Sequence, residues 1–107
     1  MTLTLEALRE MGFHAGRVDR DIPRRNLSVD LFGFADVFAF KGARALLVQC
    51  TSFNNRRDRL AKVLHSPIAH DWVKTPNHYL EVWGWRTNGQ FEVTRIRESD
   101  FLVMAKS

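Results

Sequence analysis

The chain has 107 residues, 45% of them hydrophobic and 26% charged, with six Gly and three Pro. That is one domain around one modest core, and it excludes a disordered, collagen-like or low-complexity chain. Sixteen Lys and Arg stand against twelve Asp and Glu, a net charge of +4. Twelve of the sixteen are Arg, whose planar fork suits phosphate where Lys is a hydrated point charge. Such a balance fits nucleic acid; it fits equally the solvated surface of an Arg-rich protein.

Residues 2–11 read as a helix, with Leu5, Leu8 and Met11 at three-residue steps and Gly12 placed for a left-handed cap. A short edge strand fits within residues 13–22, and Pro23-Arg24-Arg25-Asn26 reads as a loop. Residues 31–40 and 45–51 are two apolar runs, read as strands buried on both faces in the middle of a sheet covered by helices. Between them, Gly42-Ala43 is a type II′ hairpin signal. Asn54 or Asn55 then caps a helix with Asp58 in its early turn and Leu60, Val63 and Leu64 as its buried stripe. Ser66-Pro67 starts a second helix, whose apolar face is Ile68, Ala69, Trp72 and Val73. Residues 79–86 and 91–97 are strands joined by an Asn88-Gly89 turn. The tail after Asp100 carries no assignment.

The longest uncharged run, residues 45–55, is far below the ~20 apolar residues of a membrane helix. Neither a membrane span nor an apolar leader is expected. The single Cys50 makes no intrachain disulfide and no Cys-based zinc site, which points to a reducing cytoplasmic setting. His14, His65, His70 and His78 include no i,i+4 pair, so zinc is not expected.

The central hairpin fixes a register. A two-residue Gly42-Ala43 loop pairs Lys41 with Arg44 and sets Asp36 opposite Gln49, side chains ~5 Å apart on one face. Thr51 shares that face and Cys50 alternates to the other. A lone carboxylate in an apolar sheet is costly. A metal ion bridging Asp36 and the Gln49 oxygen would compensate it. So would an arginine from the next helix, or the Gln49 amide itself as a purely structural pair.

Around these residues the sequence resembles the PD-(D/E)xK nuclease superfamily, in its small phage-type and Holliday-junction-resolvase-like branch. The likeness is carried by Gly33-Phe34-Ala35-Asp36-Val37, by Val48-Gln49-Cys50-Thr51-Ser52, by the Asn/Arg/Lys helix over residues 55–62, and by Gly84-Trp85-Arg86. The resemblance implies a restriction-endonuclease-like α/β core over residues 1–107. Its mixed sheet would have about five strands flanked by helices, in the order α-β-β-β-α-β-β. It implies a DNA endonuclease using Mg²⁺ or Mn²⁺, with Asp36, Gln49 and the Cys50 carbonyl as metal ligands. Glu10, or else Asp19, would be the additional acid, with Asp30 a third candidate. Two departures stand out: Gln49 replaces the acidic residue of the third-strand motif, and Thr51 replaces its lysine. Lys62, on one side of the following helix with Arg56 and Arg59, is placed to take the lysine's part. Arg24, Arg25, Arg56, Arg57 and Arg59 would neutralise DNA phosphates.

Three functions therefore compete: a metal-dependent nuclease, a nuclease-like DNA-binding module without turnover, and an interaction protein of phage or mobile-element origin. The aromatic hairpin over residues 79–91 is the expected homodimer surface. Trp72, Trp83 and Trp85 are expected in core or dimer packing rather than stacked on bases.

Overall fold

The computed structural model describes residues 2–22 and 27–101. The predicted loop at residues 23–26, with Arg24 and Arg25, lies outside the described residues. The protein is α/β: a five-stranded mixed sheet of order β1-β4-β5-β6-β7 with helices on both faces. The first helix, α1 (Thr2–Glu10), ends as expected at Gly12, whose φ is +91°. The Phe13 N–H donates to the Leu8 carbonyl and the Gly12 N–H to the Arg9 carbonyl, a Schellman closure.

The expected single edge strand over residues 13–22 is two strands. β1 (His14–Arg17) pairs with β4 (Val37–Lys41) in the main sheet. β2 (Arg20–Ile22) and β3 (Leu27–Val29) form a separate two-stranded arm inserted between them. The apolar run at residues 31–40 is likewise only half a strand. Residues 31–35 form a tight turn closed by a Leu31–Ala35 bridge, with Phe32 at φ +57° and Gly33 at φ +80°. Apolar content alone does not separate a buried turn from a buried strand.

The predicted register holds. β4 pairs with β5 (Arg44–Ser52) from Lys41↔Arg44 to Val37↔Val48. Gly42 has φ +60° while Ala43 stays at negative φ, as a II′ turn requires. β5 runs parallel to β6 (His78–Trp85), and a parallel pair needs a crossover. A 3-10 turn (Phe53–Asn55), α2 (Arg56–Leu64) and α3 (Pro67–Lys74) supply it. Asn55 precedes α2 without a side-chain cap, contrary to expectation, because the 3-10 turn leads straight into the helix. Ser66 does cap α3, accepting from the Ala69 N–H at 3.2 Å. β7 (Phe91–Ile96) returns antiparallel to β6. The turn between them has only Gly89 at positive φ, the type I turn plus glycine form of hairpin.

Two cores result. Leu8 packs with Val37, Ala39, Leu46, Val48 and Trp83 under α1. On the other face, Leu47, Leu80, Val82 and Ile96 pack against Val63 and Ala69 of α2 and α3. Phe101, in the tail the sequence left unassigned, is 5% exposed and stacks on His70 at 4.7 Å, closing this second core.

Gly84 on β6 marks the closest approach of the crossover to the sheet. A Cβ there would lie 3.3 Å from the Phe53 Cα and 3.3 Å from the Arg56 Cβ. Gly84→Ala is expected to push the 3-10 turn outward and cost about 1–2 kcal/mol, seen as a lower urea midpoint. A midpoint equal to the parent's would mean that the turn yields freely.

Candidate functional site

Strands β5 and β6 end side by side, and the chain leaves both over the same edge. Gln49, Cys50, Thr51 and Ser52 at the end of β5, and Trp85, Arg86 and Thr87 after β6, line a cleft of about 880 Å³. Asp19, Asp30 and Asp36 enter it from the other side, and Arg59 and Lys62 from α2. This is the carboxyl end of the parallel pair, where open α/β sheets bind ligands.

Asp36 sits at a bend just before β4. Its N–H donates to the Val48 carbonyl on β5, at 2.9 Å, while its carbonyl accepts from Val18 beside β1, also at 2.9 Å. The regular ladder stops there, and the Cys50 N–H beyond it donates to Asp36 Oδ2 at 2.8 Å. The same oxygen accepts from Gln49 Nε2 at 2.7 Å. Asp36 and Gln49 are thus buried neighbours, 7% and 2% exposed, joined side chain to side chain although the paired register ends one step earlier, at Val37↔Val48.

The Asp36 carboxyl is pushed up to about 7. Burial is the main cause, followed by a side-chain hydrogen bond with Asp30. The charges of Asp30 and Asp19 add to this, and the Cys50 N–H opposes it. A hydrogen bond between two carboxyls needs a proton on one of them. Asp30 is in turn 3.8 Å from Lys62 Nζ. Asp19 is held by Arg17 through two bonds of 2.9 and 3.0 Å.

Of the two leading candidates for the additional acid, Asp19 lies in the cleft and Glu10 does not. Glu10 is exposed at the end of α1, next to Met11, whose carbonyl accepts from Lys41 Nζ at 2.9 Å. Lys41 belongs to the β4–β5 hairpin, at the opposite end of these strands from Asp36. The helix that carries Glu10 is expected to pack on the sheet. It does, but it presents its other end to the site, where Leu3 lines the cleft. Asp30, the third candidate, is the acid bonded to Asp36.

The basic residues of α2 also divide. Arg59 and Lys62 line the cleft. Arg57 is exposed and not among the lining residues. Arg56 packs its guanidinium 3.7 Å from the Phe53 ring centroid and donates to the Phe53 carbonyl at 2.8 Å. Arg86, within the Gly84-Trp85-Arg86 motif but not predicted as a site residue, also lines the cleft. Its signal was its place one residue beyond a strand parallel to β5, which becomes visible only once that pairing is known.

Several oxygens could hold a metal ion: the carboxylates of Asp36 and Asp30, and Gln49 Oε1, which is buried and meets no hydrogen-bond donor. The Cys50 carbonyl accepts from Gln49 Nε2 at 3.2 Å. Among the described residues no group of three or more His, Cys, Asp or Glu is arranged around a common point.

Burial pushes the Cys50 thiol up to about 11, Asp36 adding to the effect against a hydrogen bond to Thr4. Its thiolate is scarce near neutrality, which disfavours nucleophilic chemistry. The tryptophans are committed to the fold. Trp72 donates to the Tyr79 carbonyl at 2.7 Å, Trp83 to Glu81 at 3.0 Å and Trp85 to Thr4 at 2.8 Å. No protein-family model matches the sequence, and the comparison with curated proteins gives no significant match. No helix among the described residues is long and apolar enough to cross a membrane.

Proposed function

We propose that this protein is a divalent-metal-dependent DNA endonuclease of the PD-(D/E)xK type, with Asp36 as its central carboxylate. The carrying observation is the meeting of Asp36, Asp30 and Gln49 with Lys62 and Arg59 in one cleft. The chain order supports it: a helix, three antiparallel main-sheet strands, a helical crossover and a parallel fourth strand follow the layout the resemblance implies.

The donor set fits a hard cation. Two carboxyls that share a proton when alone would be bridged better by a doubly charged ion, and Gln49 Oε1 lacks a partner. Mg²⁺ commonly takes one or two carboxylates and completes its shell with water and substrate phosphate. Mn²⁺ suits the same oxygens. A bound ion supplies polarisation of a phosphate oxygen and an acidified water. Lys62, held beside Asp30, takes the place of the lysine absent at Thr51, orienting the nucleophile and balancing charge on the phosphate. Arg59 neutralises a flanking phosphate.

A second reading has its own support. The Gln49 amide already satisfies Asp36, and the Thr51 hydroxyl lacks the positive charge of the lysine it replaces; a DNA-binding module without turnover would look the same. A homodimer, if formed, has a surface available on the outer strand β7, where Phe91 and Val93 are each 40% exposed.

The test is cleavage of supercoiled, branched and single-stranded DNA in Mg²⁺ or Mn²⁺, beside an Asp36→Ala control. Metal-dependent nicking that the control lacks is expected. No cleavage of any DNA form with any divalent ion would leave the binding module as the account.

A further inference from the structure

We propose that Arg86 is a phosphate-binding residue of this cleft, held ready by a stack on Phe53, and that the phosphate it takes belongs to a nucleic-acid backbone. The inference rests on the nucleic-acid reading above and deepens it.

The Arg86 guanidinium lies 3.5 Å from the Phe53 ring centroid and that of Arg56 lies 3.7 Å from it. Two guanidinia this close to one centroid would collide on a single face, so the ring is held between them. Arg56 is anchored by its bond to the Phe53 carbonyl and stays outside the cleft lining. Arg86 is exposed and lines the cleft, and its guanidinium has no acceptor among the described residues.

An arginine stem normally has several rotamers to lose on binding. Stacking on an aromatic face removes much of that freedom beforehand while leaving the N–H groups in the ring-parallel plane unused. The stack also keeps two cations on one ring with no carboxylate among the described residues paired to either guanidinium, so the local charge favours an anion. Arg86 shares the cleft with Asp36 and sits, through Phe53, against the start of α2, whose Arg59 and Lys62 also line it. A backbone running through the cleft would meet Arg59, Lys62 and Arg86 beside the carboxylates. Gly84 is what lets the stack form: with no side chain there, Phe53 and Arg56 settle onto β6, two residues before Arg86.

The roles differ. Arg86 touches the phosphate, whereas Phe53 and Arg56 are positioning residues that act through it. Phe53 therefore should contribute to binding only while Arg86 is present.

The experiment measures binding of a fluorescein-labelled DNA duplex with a single-stranded overhang, in EDTA so that nothing is cleaved, across a salt series. The proteins are the parent, Arg86→Ala, Arg86→Lys, Phe53→Leu, the double variant Phe53→Leu/Arg86→Ala, and Arg97→Ala. Arg97→Ala removes the same charge just beyond β7, at the other end of the sheet. Urea midpoints confirm that each variant is folded.

Arg86→Ala is expected to bind roughly 5–10-fold more weakly and to lower the steepness of log affinity against log salt by about 1, one phosphate contact. Arg86→Lys should regain the salt slope without the full affinity. Phe53→Leu should weaken binding, the double variant should bind no worse than Arg86→Ala, and Arg97→Ala should match the parent. Parent-like affinity and slope in Arg86→Ala would overturn the proposal while leaving the nucleic-acid reading intact. A Phe53→Leu loss that adds fully to that of Arg86→Ala would overturn the positioning role. A parent that binds no DNA at low salt would remove the nucleic-acid reading, and this inference with it.

Discussion

Asp36→Asn is expected to abolish metal-dependent DNA cleavage, a fall on the order of 100-fold or more, while making the metal-free protein more stable. The two effects share one cause. Asn keeps an oxygen to accept from Gln49 Nε2 and the Cys50 N–H, which now bond to Asp36 at 2.7 and 2.8 Å. Its amide N–H can donate to Asp30 in place of the shared proton. What disappears is the negative charge that would bind a cation.

That charge is also what the apo fold resists. Asp36 ionises near 3.8 in the ordinary case and at about 7 here. Between these values the native protein keeps a proton that the unfolded chain has released. The native state is therefore favoured at low pH, and its stability falls as pH rises through about 7. Allowing for screening by solvent in the open cleft, the loss is about 2 kcal/mol. Urea titrations in EDTA at pH 5 and pH 8 should show the parent losing this increment and Asp36→Asn keeping it, other titrating groups cancelling in the comparison. Equal pH dependence in the two proteins would mean that the Asp36 carboxyl is not held protonated. Cleavage by Asp36→Asn at the parent's rate would end the enzyme reading.

Gln49→Glu should act in the opposite sense. It deletes the amide donor to Asp36 and to the Cys50 carbonyl, and it sets a third carboxyl against the Asp36–Asp30 pair. Losing a buried donor and crowding like charges should cost about 3 kcal/mol at pH 8 without metal. Mn²⁺ should restore much of it, because binding to the native state alone stabilises that state by mass action. The expected observation is a lower melting temperature than the parent's in EDTA and a larger rise on adding Mn²⁺. A variant as stable as the parent in EDTA, or one that Mn²⁺ leaves unchanged, would argue against a cation site between these residues.

Much of the sheet was legible in the sequence because its signals are local. The Gly42-Ala43 turn determines which residue of β5 faces which residue of β4, and so places Gln49 beside Asp36 with no knowledge of the rest. Gly12 closes α1 and Ser66-Pro67 opens α3 by backbone chemistry that acts within a few residues. The helices on both faces followed from two apolar runs with no polar side. Where local signals were ambiguous, the reading failed. The apolar run before Val37 supports a turn as readily as a strand, and the Phe32-Gly33 pair at positive φ makes it a turn. Phe101 offered one apolar residue in a short tail, too little for a pattern, yet it closes a core.

The sequence by itself determined the register, the Asp36–Gln49 pair and the helix from which Lys62 projects, because turns, caps and alternation are properties of neighbouring residues. Tertiary structure alone decided which other groups joined that pair. Asp30 rather than Glu10 meets Asp36 because α1 crosses the sheet with its far end over the hairpin. Arg86 enters the same cleft because β6 runs parallel to β5, so both strands release the chain at one edge. Residues as distant in the chain as Ser52 and Trp85 become neighbours through that pairing, and no periodicity along the chain encodes it.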